Sequence, residues 1–348
     1  MTTAETPGEA PRGTSRPTIS VAEGSRFSRI LSVGSYRPER VVTNEEICQF
    51  IDSSDEWIRS RSGISTRRFA AADESIADMA EIAGRVAIER AGLLGADIDA
   101  VILASITYPF QTPSAAAVVA DRLGTTPAAA FDVSAACAGF CYGVSLASDM
   151  IRGGSARNVL VIGVEKNSDF INPADRSAAF LFADGAGAVV VGPSDRPSIA
   201  PTVWGSDGSA WELIRSQNSW IEYRDDPEAG WPYMIMEGQS VFRWAVWQMS
   251  PVAAKAIDAA GISPADLTAF IPHQANGRII DAMAKQLKLP GTVTIARDIT
   301  DSGNTSAASV PLAMDRLLTD HPEASGGLAL LIGFGAGLAY AAQVVELP

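Results

Sequence analysis

Apolar runs alternate with amphipathic stretches from about residue 26 to the end of the chain. The apolar runs that are rich in β-forming residues lie at 101–105, 159–164, 188–191 and 269–272. Between them, apolar residues recur at spacings of three and four, most clearly over 76–91 and 241–260, and this periodicity predicts helices. The alternation favours an α/β fold in which mostly parallel, buried strands lie between layers of helices.

Two segments match each other without gaps at a constant offset of 169 residues. Residues 87–100 read AIERAGLLGADIDA, residues 256–269 read AIDAAGISPADLTA, and an apolar run follows each of them. Each segment predicts a helix that ends at a glycine C-cap, a short linker and a buried strand. Units of this kind share composition, so chance similarity is the alternative. We interpret the match as a duplication, which predicts two similar halves packed face to face with a site between them.

We divide the chain into a tail (1–25), an N-terminal half (26–195) and a C-terminal half (196–348). The tail is rich in Thr, Pro, Gly, Ala and Ser, so we expect it to be disordered, and it lacks the apolar core of a signal peptide. Residues 203–232 contain four tryptophans and fit the repeat less well, which predicts an inserted loop or cap. The longest apolar stretch, 328–342, is interrupted by glycines and is shorter than the ~20 residues of a membrane-spanning helix.

Composition narrows the classes of function. Of the 348 residues, 47% are hydrophobic and 19% are charged, which is typical of a globular protein. The formal net charge of −13 argues against nucleic-acid binding, because that function needs clustered Lys and Arg. Three cysteines do not make a disulfide framework in a chain of this length. We therefore expect a soluble cytoplasmic protein that binds neither nucleic acid nor membrane.

The chain has only two histidines, and they lie in different settings. His321 lies in a polar, turn-like segment and is expected to be solvated. His273 comes directly after the apolar run 269–272 and before a predicted helix. The end of a strand in an α/β sheet is a position where sites form, so His273 is a candidate functional residue. A structural histidine is the alternative.

Cys137 lies between an apolar strand that reaches Val133 and a helix predicted from about residue 138 to residue 151. The positive end of a helix dipole favours a thiolate, and the small residues around Cys137 leave room for a substrate. A buried packing cysteine is the alternative, and that is how we interpret Cys141. Cys137, Cys141 and His273 do not have the spacing of a zinc site.

Asn304 precedes an apolar helical run, where by itself it is best interpreted as a helix N-cap. Two glycine-rich runs, FADGAGA and GFGAGLA, do not match the dinucleotide-binding pattern GxGxxG at the start of a βαβ unit. We therefore do not expect the chain to bind NAD.

Taken together, these segments resemble β-ketoacyl-acyl carrier protein synthase III, and actinobacterial members most of all. The resemblance covers residues 26–348 and rests on several motifs in the family's order. They are DEWIRSRSGI from Asp55, DVSAACAGF around Cys137, LFADGAGAVVVG, IPHQANGRII around His273, GNTSAAS around Asn304 and GFGAGL from Gly333. The resemblance implies the five-layer αβαβα thiolase fold, a homodimer and a catalytic triad of Cys137, His273 and Asn304.

The resemblance also implies the reaction. Cys137 would take an acyl group from acyl-CoA, with the N–H groups of Cys137 and Ala336 as the oxyanion hole. His273 and Asn304 would then stabilise the enolate that forms when malonyl-acyl carrier protein loses carbon dioxide. No metal or redox cofactor is expected, because coenzyme A enters as the thioester substrate. Elongating synthases need a second histidine and thiolases proper a second catalytic cysteine, and this chain has neither in a suitable place.

Further residues match family positions that bind the substrates. Those that match coenzyme A contacts are Trp57, Arg61, Arg176 and Asn276. Arg243 and Arg278 match basic residues that dock the acidic carrier protein. The alternatives are a half-buried aromatic for Trp57 and solvated surface charges for the arginines.

The acyl pocket is assigned to Thr112 and Phe334 by the same resemblance. Acetyl-selective relatives carry a bulky aromatic where this chain has Thr112, at the end of a pocket that is reached across the dimer. The smaller side chain favours branched or longer starter groups. Three alternatives to a fatty acid synthase remain: an acyltransferase without decarboxylation, a non-catalytic partner subunit, and an enzyme that primes a polyketide pathway. The intact Cys137 argues against the second.

Overall fold

Two five-stranded sheets of similar design form the centre of the protein, as described by a computed structural model for residues 19–20 and 22–348. Most of the segment assigned to the tail, residues 1–18 and 21, lies outside the described residues. The strands of the N-terminal half are β1 (Phe27–Tyr36), β2 (Arg40–Thr43), β3 (Thr66–Phe69), β4 (Ala100–Ala104), β5 (Ala129–Val133), β6 (Val159–Lys166) and β7 (Asp184–Ser194). Those of the C-terminal half are β8 (Val203–Gly205), β9 (Ile214–Ser216), β10 (Met234–Met236), β11 (Ala269–Pro272), β12 (Thr294–Ile295), β13 (Leu328–Phe334) and β14 (Tyr340–Glu346).

The described part of the chain also forms ten α-helices. They are α1 (Asn44–Ile47), α2 (Asp55–Ser62), α3 (Ile76–Arg90), α4 (Ala115–Arg122), α5 (Gly139–Arg152), α6 (Trp220–Asp225), α7 (Gly238–Ala259), α8 (Gly277–Gln286), α9 (Ile299–Ser302) and α10 (Ser309–Asp320). None of these helices has both the length and the apolar character that crossing a membrane requires.

The two sheets have matching strand orders. The first runs β5-β4-β6-β7-β1 and the second β12-β11-β13-β14-β8. In each sheet, the two pairings at the β5 or β12 end are parallel and the other two are antiparallel. The sequence had predicted mostly parallel strands. That prediction was too simple, because a continuous apolar run indicates burial on both faces but not the direction of a strand.

Helices occupy three layers around the two sheets. Helices α5 and α10 contact strands of both sheets, so they form the central layer. Helices α3 and α4 cover the outer face of the first sheet, and α7 and α8 cover that of the second. One hydrophobic core joins the central helices to both sheets. This is the five-layer αβαβα arrangement of the thiolase fold.

The two matching sequence segments occupy equivalent places. In the first, α3 is followed by Gly92 and β4; in the second, α7 is followed by Gly261 and β11. Gly92 has a φ of 70° and Gly261 a φ of 71°, which is the left-handed conformation that follows many helices and favours glycine. The shared sequence therefore encodes the same helix end and strand start in each half.

Residues 203–236, which we call the cap segment, contain an edge strand of the second sheet and a part that packs on the N-terminal half. Residues 203–205 form β8, which pairs with β14 at the edge of the second sheet. The rest of the segment includes the β9–β10 pair and α6, and its aromatic rings pack on Phe170 of the N-terminal half. Trp231 also donates a hydrogen bond from Nε1 to the carbonyl of Asp169 at 3.1 Å. These contacts hold the cap segment against the N-terminal half.

Candidate active site

Cys137 lies in a tight turn between β5 and α5. Residues 136–138 form one turn of 3₁₀ helix, and Ala136 has a φ of 46°, which is uncommon for a residue with a side chain. Strained backbone of this kind clusters at functional sites. The turn places Cys137 immediately before the N-terminus of α5, as the sequence had predicted.

The protonation of Cys137 differs from the sequence-based expectation of a thiolate. The residue is partly exposed, but to a cavity inside the protein. Burial, with a smaller contribution from the charge of Glu165, raises the pKa of its thiol to about 12, although the Ser306 hydroxyl opposes this rise. Cys137 is therefore a thiol at neutral pH. The expectation considered only the helix end and not the depth of the site.

Asn304 lies beside a turn of the same kind in the C-terminal half. Residues 306–308 form a 3₁₀ turn before α10, and Ser306 has a φ of 50°. The Oδ1 atom of Asn304 accepts a hydrogen bond from the Ser306 N–H at 2.9 Å. Its backbone is held by hydrogen bonds to Leu181 and Ala183. The side-chain oxygen is thus engaged, which leaves the amide NH₂ as a donor for a ligand.

His273 follows β11 and is almost fully buried. Its backbone N–H donates a hydrogen bond to the carbonyl of Ile332 at 2.7 Å. The Nδ1 atom of its ring lies 2.7 Å from the Oγ atom of Ser309. The imidazole packs edge-on against the ring of Phe334, with 5.3 Å between ring centroids. Burial lowers the pKa of His273 to about 3, so the ring is neutral at physiological pH.

The turn after β13 approaches Cys137 closely. A Cβ atom on Gly335 would lie 3.0 Å from the Sγ, Cβ and N atoms of Cys137, so a side chain at this position would crowd the sulfur. The next residues are Ala336 and Gly337, and Gly337 has a φ of 78°. Glycine at 335 therefore lets this turn lie against the nucleophile candidate.

A cavity of about 790 Å³ joins these groups. Eleven of the twelve site residues predicted from the sequence line it: Trp57, Arg61, Cys137, Arg176, Arg243, His273, Asn276, Arg278, Asn304, Phe334 and Ala336. The cap segment covers it with Ile214, Met234 and Met236. The cavity is lined mainly by apolar groups, with few convergent polar ones, as in sites for small molecules.

Aromatic and cationic groups surround one end of the cavity. The guanidinium carbon of Arg176 lies 4.7 Å from the centre of the Trp57 ring, and that of Arg61 lies 6.0 Å from it. Asn276 caps α8 with its Oδ1 atom and donates from Nδ2 to the carbonyl of Arg61 at 3.0 Å. Cations beside a partly exposed indole suit a ligand with a planar ring and negative charge.

Thr112 is the one predicted site residue that does not line the cavity. It is exposed in the loop between β4 and α4, which also contains Phe110. A role for Thr112 in the acyl pocket thus requires a second copy of the chain.

Sequence reasoning missed three polar residues of the site. Ser309 contacts His273, Ser306 lines the cavity with Cys137, and Glu165 accepts a hydrogen bond from Ser306. One signal for Glu165 was available. It is a charged residue at the end of β6, whose residues are otherwise apolar almost throughout and all buried. A buried charge without an obvious partner is expensive and is often functional.

Comparison with known proteins agrees with this geometry. Two family models match, "3-Oxoacyl-[acyl-carrier-protein (ACP)] synthase III" over residues 131–208 and its C-terminal domain over 257–347. The first match includes Cys137, and the second includes His273, Asn304 and Ala336.

Three relatives extend the match over nearly the whole chain. The β-ketoacyl-[acyl-carrier-protein] synthase III of Kocuria rhizophila is 55% identical over 92% of this chain and 97% of its own. The synthase III of Streptomyces glaucescens is 58% identical over 95% of this chain and 99% of its own. The crystal structure of the priming β-ketosynthase from the R1128 polyketide biosynthetic pathway has a TM-score of 0.93 at 50% identity, covering 95% and 99%. The chain therefore belongs to the β-ketoacyl-[acyl-carrier-protein] synthase III family of acyl-transferring condensing enzymes.

Proposed function

We propose that the chain joins an acyl-CoA starter to malonyl-acyl carrier protein by a decarboxylative Claisen condensation, and so initiates fatty acid synthesis. The observation that carries this proposal is that Cys137, His273 and Asn304 line one cavity although they come from different halves of the chain. Each has hydrogen-bond partners that suit a distinct role in the reaction.

In the first step, the sulfur of Cys137 attacks the thioester carbonyl of acyl-CoA, and coenzyme A leaves as the thiol. The negative charge on the carbonyl oxygen is stabilised by the backbone N–H groups of Cys137 and Ala336. Support for this pairing comes from Gly335, whose lack of a side chain allows the Ala336 turn to lie beside the sulfur. The product is an acyl group in thioester linkage to Cys137.

In the second step, malonyl-carrier protein loses carbon dioxide, and the electron pair of the broken bond forms an enolate. We assign the Ser309 hydroxyl as donor to His273 Nδ1, since the Gln274 N–H already occupies an acceptor site on Ser309 Oγ at 3.3 Å. The neutral ring then carries its proton on Nε2 and donates a hydrogen bond from it to the enolate oxygen, as does the Asn304 amide. The enolate carbon attacks the acyl group, and Cys137 leaves as a thiolate that takes a proton from water.

Both steps balance with the residues, the two substrates and one proton from water. We therefore propose that no metal or redox cofactor takes part. A reactive thiol at the centre of the mechanism fits the reducing cytoplasm.

Coenzyme A and the carrier protein are proposed to reach the cavity at its cationic end. Trp57 would stack on the adenine, while Arg61, Arg176 and Asn276 would contact the rest of the nucleotide. Arg243 and Arg278 are exposed beside the same cavity, and Trp247, one helical turn after Arg243, is 68% exposed. In a chain with a net charge of −13, these two arginines supply a local positive surface for an acidic carrier protein.

We also propose a homodimer built on β5. This strand is an unpaired edge of the first sheet within the described chain, and Phe131 on it is 37% exposed. Phe110, in the loop that contains Thr112, is 65% exposed. An exposed apolar edge favours pairing with another strand, and two-fold symmetry brings the same edge of two copies together. Thr112 of the partner subunit would then close the acyl end of the cavity.

A mass-spectrometric screen of acyl-CoAs tests the proposal. The purified chain should gain the mass of the acyl group on Cys137, and it should then release carbon dioxide only with malonyl-carrier protein. Acyl transfer without carbon dioxide release would instead indicate a non-decarboxylating acyltransferase. Priming of a polyketide pathway is the second candidate, because of the similarity to the R1128 priming ketosynthase. Comparing malonyl groups on fatty acid and polyketide carrier proteins distinguishes these two.

A further inference from the structure

Glu165 is a fully buried carboxylate that the proposed reaction does not use. It lies at the end of β6, and its side chain accepts hydrogen bonds from four groups. They are the hydroxyls of Ser105 (3.1 Å), Thr107 (2.6 Å) and Ser306 (3.0 Å) and the N–H of Ile106 (3.1 Å). All four are neutral donors, so they hold the carboxylate in place without fixing its charge as an arginine or lysine would.

Ser306 connects this carboxylate to Cys137. The Ser306 hydroxyl donates its only proton to Glu165 at 3.0 Å, so its oxygen is left as an acceptor. Cys137 and Ser306 line the same cavity from two turns that contact each other. The backbone fixes the positions of Cys137 and Ser306. Ala136 and Ser306, in the two facing turns, have φ angles of 46° and 50°. The strained turns thus place the thiol of Cys137 beside the hydroxyl of Ser306, which is hydrogen-bonded to the buried carboxylate.

Acylation of Cys137 requires that its thiol lose a proton. Burial raises the pKa of that thiol to about 12, so only a small fraction of Cys137 is ionised at neutral pH. His273 is a poor acceptor, because burial lowers its pKa to about 3 and its Nδ1 atom is occupied by Ser309. Glu165 is better matched, since burial raises its pKa to about 7.

We propose that Glu165 and Ser306 relay the proton away from Cys137 during acylation. As the sulfur attacks the thioester, the thiol proton passes to Ser306 Oγ and the Ser306 proton passes to Glu165. When the C–S bond of the substrate breaks, the leaving coenzyme A thiolate takes a proton by the reverse route. Glu165 does not touch the sulfur and acts through Ser306. The inference rests on the proposed role of Cys137 as nucleophile.

The relay is tested by measuring the rate at which iodoacetamide alkylates Cys137 at different pH values. Alkylation is detected by intact-mass spectrometry. In the wild type, the rate should rise through an inflection near neutral pH. Glu165→Gln and Ser306→Ala should both lose that inflection, and their rates at pH 7.5 should fall by about ten-fold or more. Alanine at φ 50° carries the same backbone cost as serine, so Ser306→Ala removes only the hydroxyl.

Two controls separate the relay from a loss of structure. Ser105→Ala removes a donor from the same carboxylate without touching Cys137, so the inflection should remain and move to higher pH. For the second control, Glu165→Gln and Ser306→Ala are first acylated at high pH. These acylated variants should then condense with malonyl-carrier protein at a rate within about two-fold of the wild type, because the relay serves acylation only.

The opposite result is also well defined. The charge of Glu165 raises the pKa of Cys137, so a purely electrostatic Glu165 predicts faster alkylation in Glu165→Gln. Faster or unchanged alkylation would overturn the relay. A wild-type enzyme that forms no acyl adduct on Cys137 would instead overturn the proposed function, so the two failures are distinguishable.

Discussion

The Nδ1 atom of His273 lies 2.7 Å from the Oγ atom of Ser309, so the first residue of α10 fixes the imidazole at the end of β11. A hydroxyl that donates to Nδ1 keeps the ring proton on Nε2. Partners that orient metal-binding histidines affect activity by ~10–100-fold, and we expect an effect of similar size for His273.

Ser309→Ala should therefore slow condensation by about ten-fold while leaving acylation of Cys137 nearly unchanged. The acyl adduct is measured by mass spectrometry and condensation by carbon dioxide release. Thr319→Ala is a matched control, because it removes a hydroxyl from the same helix that bonds only the carbonyl of Asp315. Equal slowing of both steps would show that Ser309 does not act through His273.

The triad should divide its labour between the two steps. His273→Ala and Asn304→Ala should still form the acyl adduct but lose condensation by on the order of 10²–10³, the cost of removing one oxyanion-type donor. Cys137→Ala should lose acylation yet keep some decarboxylation of malonyl-carrier protein, since His273 and Asn304 remain. Wild-type condensation by His273→Ala would contradict the assignment.

Reversing the charge of Arg243 or Arg278 should affect the KM values of the two substrates differently. Arg243→Glu and Arg278→Glu should raise the KM for malonyl-carrier protein more than the KM for acyl-CoA. The wild-type KM for the carrier should also rise with salt, because exposed charges are screened within ~10 Å at 0.1 M. Arg152→Glu, at the exposed end of α5 and outside the cavity lining, is the control. Equal effects on both substrates would exclude a carrier-specific surface.

Starter choice should depend on Thr112. Each further buried methylene contributes about 0.8 kcal/mol until the space is filled. Isobutyryl-, 2-methylbutyryl- or medium-chain CoA should thus acylate Cys137 at least as well as acetyl-CoA. Thr112→Phe should reduce activity on the larger starters and spare acetyl-CoA, because only the larger groups need the space. An unchanged chain-length profile would remove Thr112 from the acyl pocket.

Two buried groups should make opposite contributions to stability as pH falls. His273 has a folded pKa of about 3, below its ordinary value of 6.5, so its contribution is complete above pH 6.5 and is lost as the pH falls toward 3. Glu165 has a folded pKa of about 7, above its ordinary 4.5, so its contribution is complete below pH 4.5 and is lost as the pH rises through 7.

Between pH 7 and 5, protonation of Glu165 in the folded state therefore offsets part of the loss caused by His273. Each proton changes the free energy of unfolding by up to about 1.4 kcal/mol per pH unit. Glu165→Gln removes the offset, so its stability should fall more steeply than that of the wild type over this range. Urea unfolding at several pH values measures the slopes, and parallel slopes would contradict the shifted pKa of Glu165.

Sequence reasoning reached the site where chemistry and spacing were local. The small residues around Cys137 indicated a turn before a helix, and the apolar run before His273 indicated a strand end. The contact of Ser306 with Glu165 was out of reach, because 141 residues separate them and no local pattern links the two positions. The pKa of Cys137 likewise depends on the depth of the cavity, which several distant elements set together.

The facing turns at 136–138 and 306–308 have the same backbone design but different side chains. The first turn presents the thiol of Cys137, and the second presents the hydroxyl of Ser306 beside the amide of Asn304. Two identical half-chains paired in this way would carry the same group on both sides of the axis. A single fused chain frees each side to change alone. In the proposed mechanism the site is therefore asymmetric: one half supplies the nucleophile, and the other supplies the His273 and Asn304 donors to the enolate.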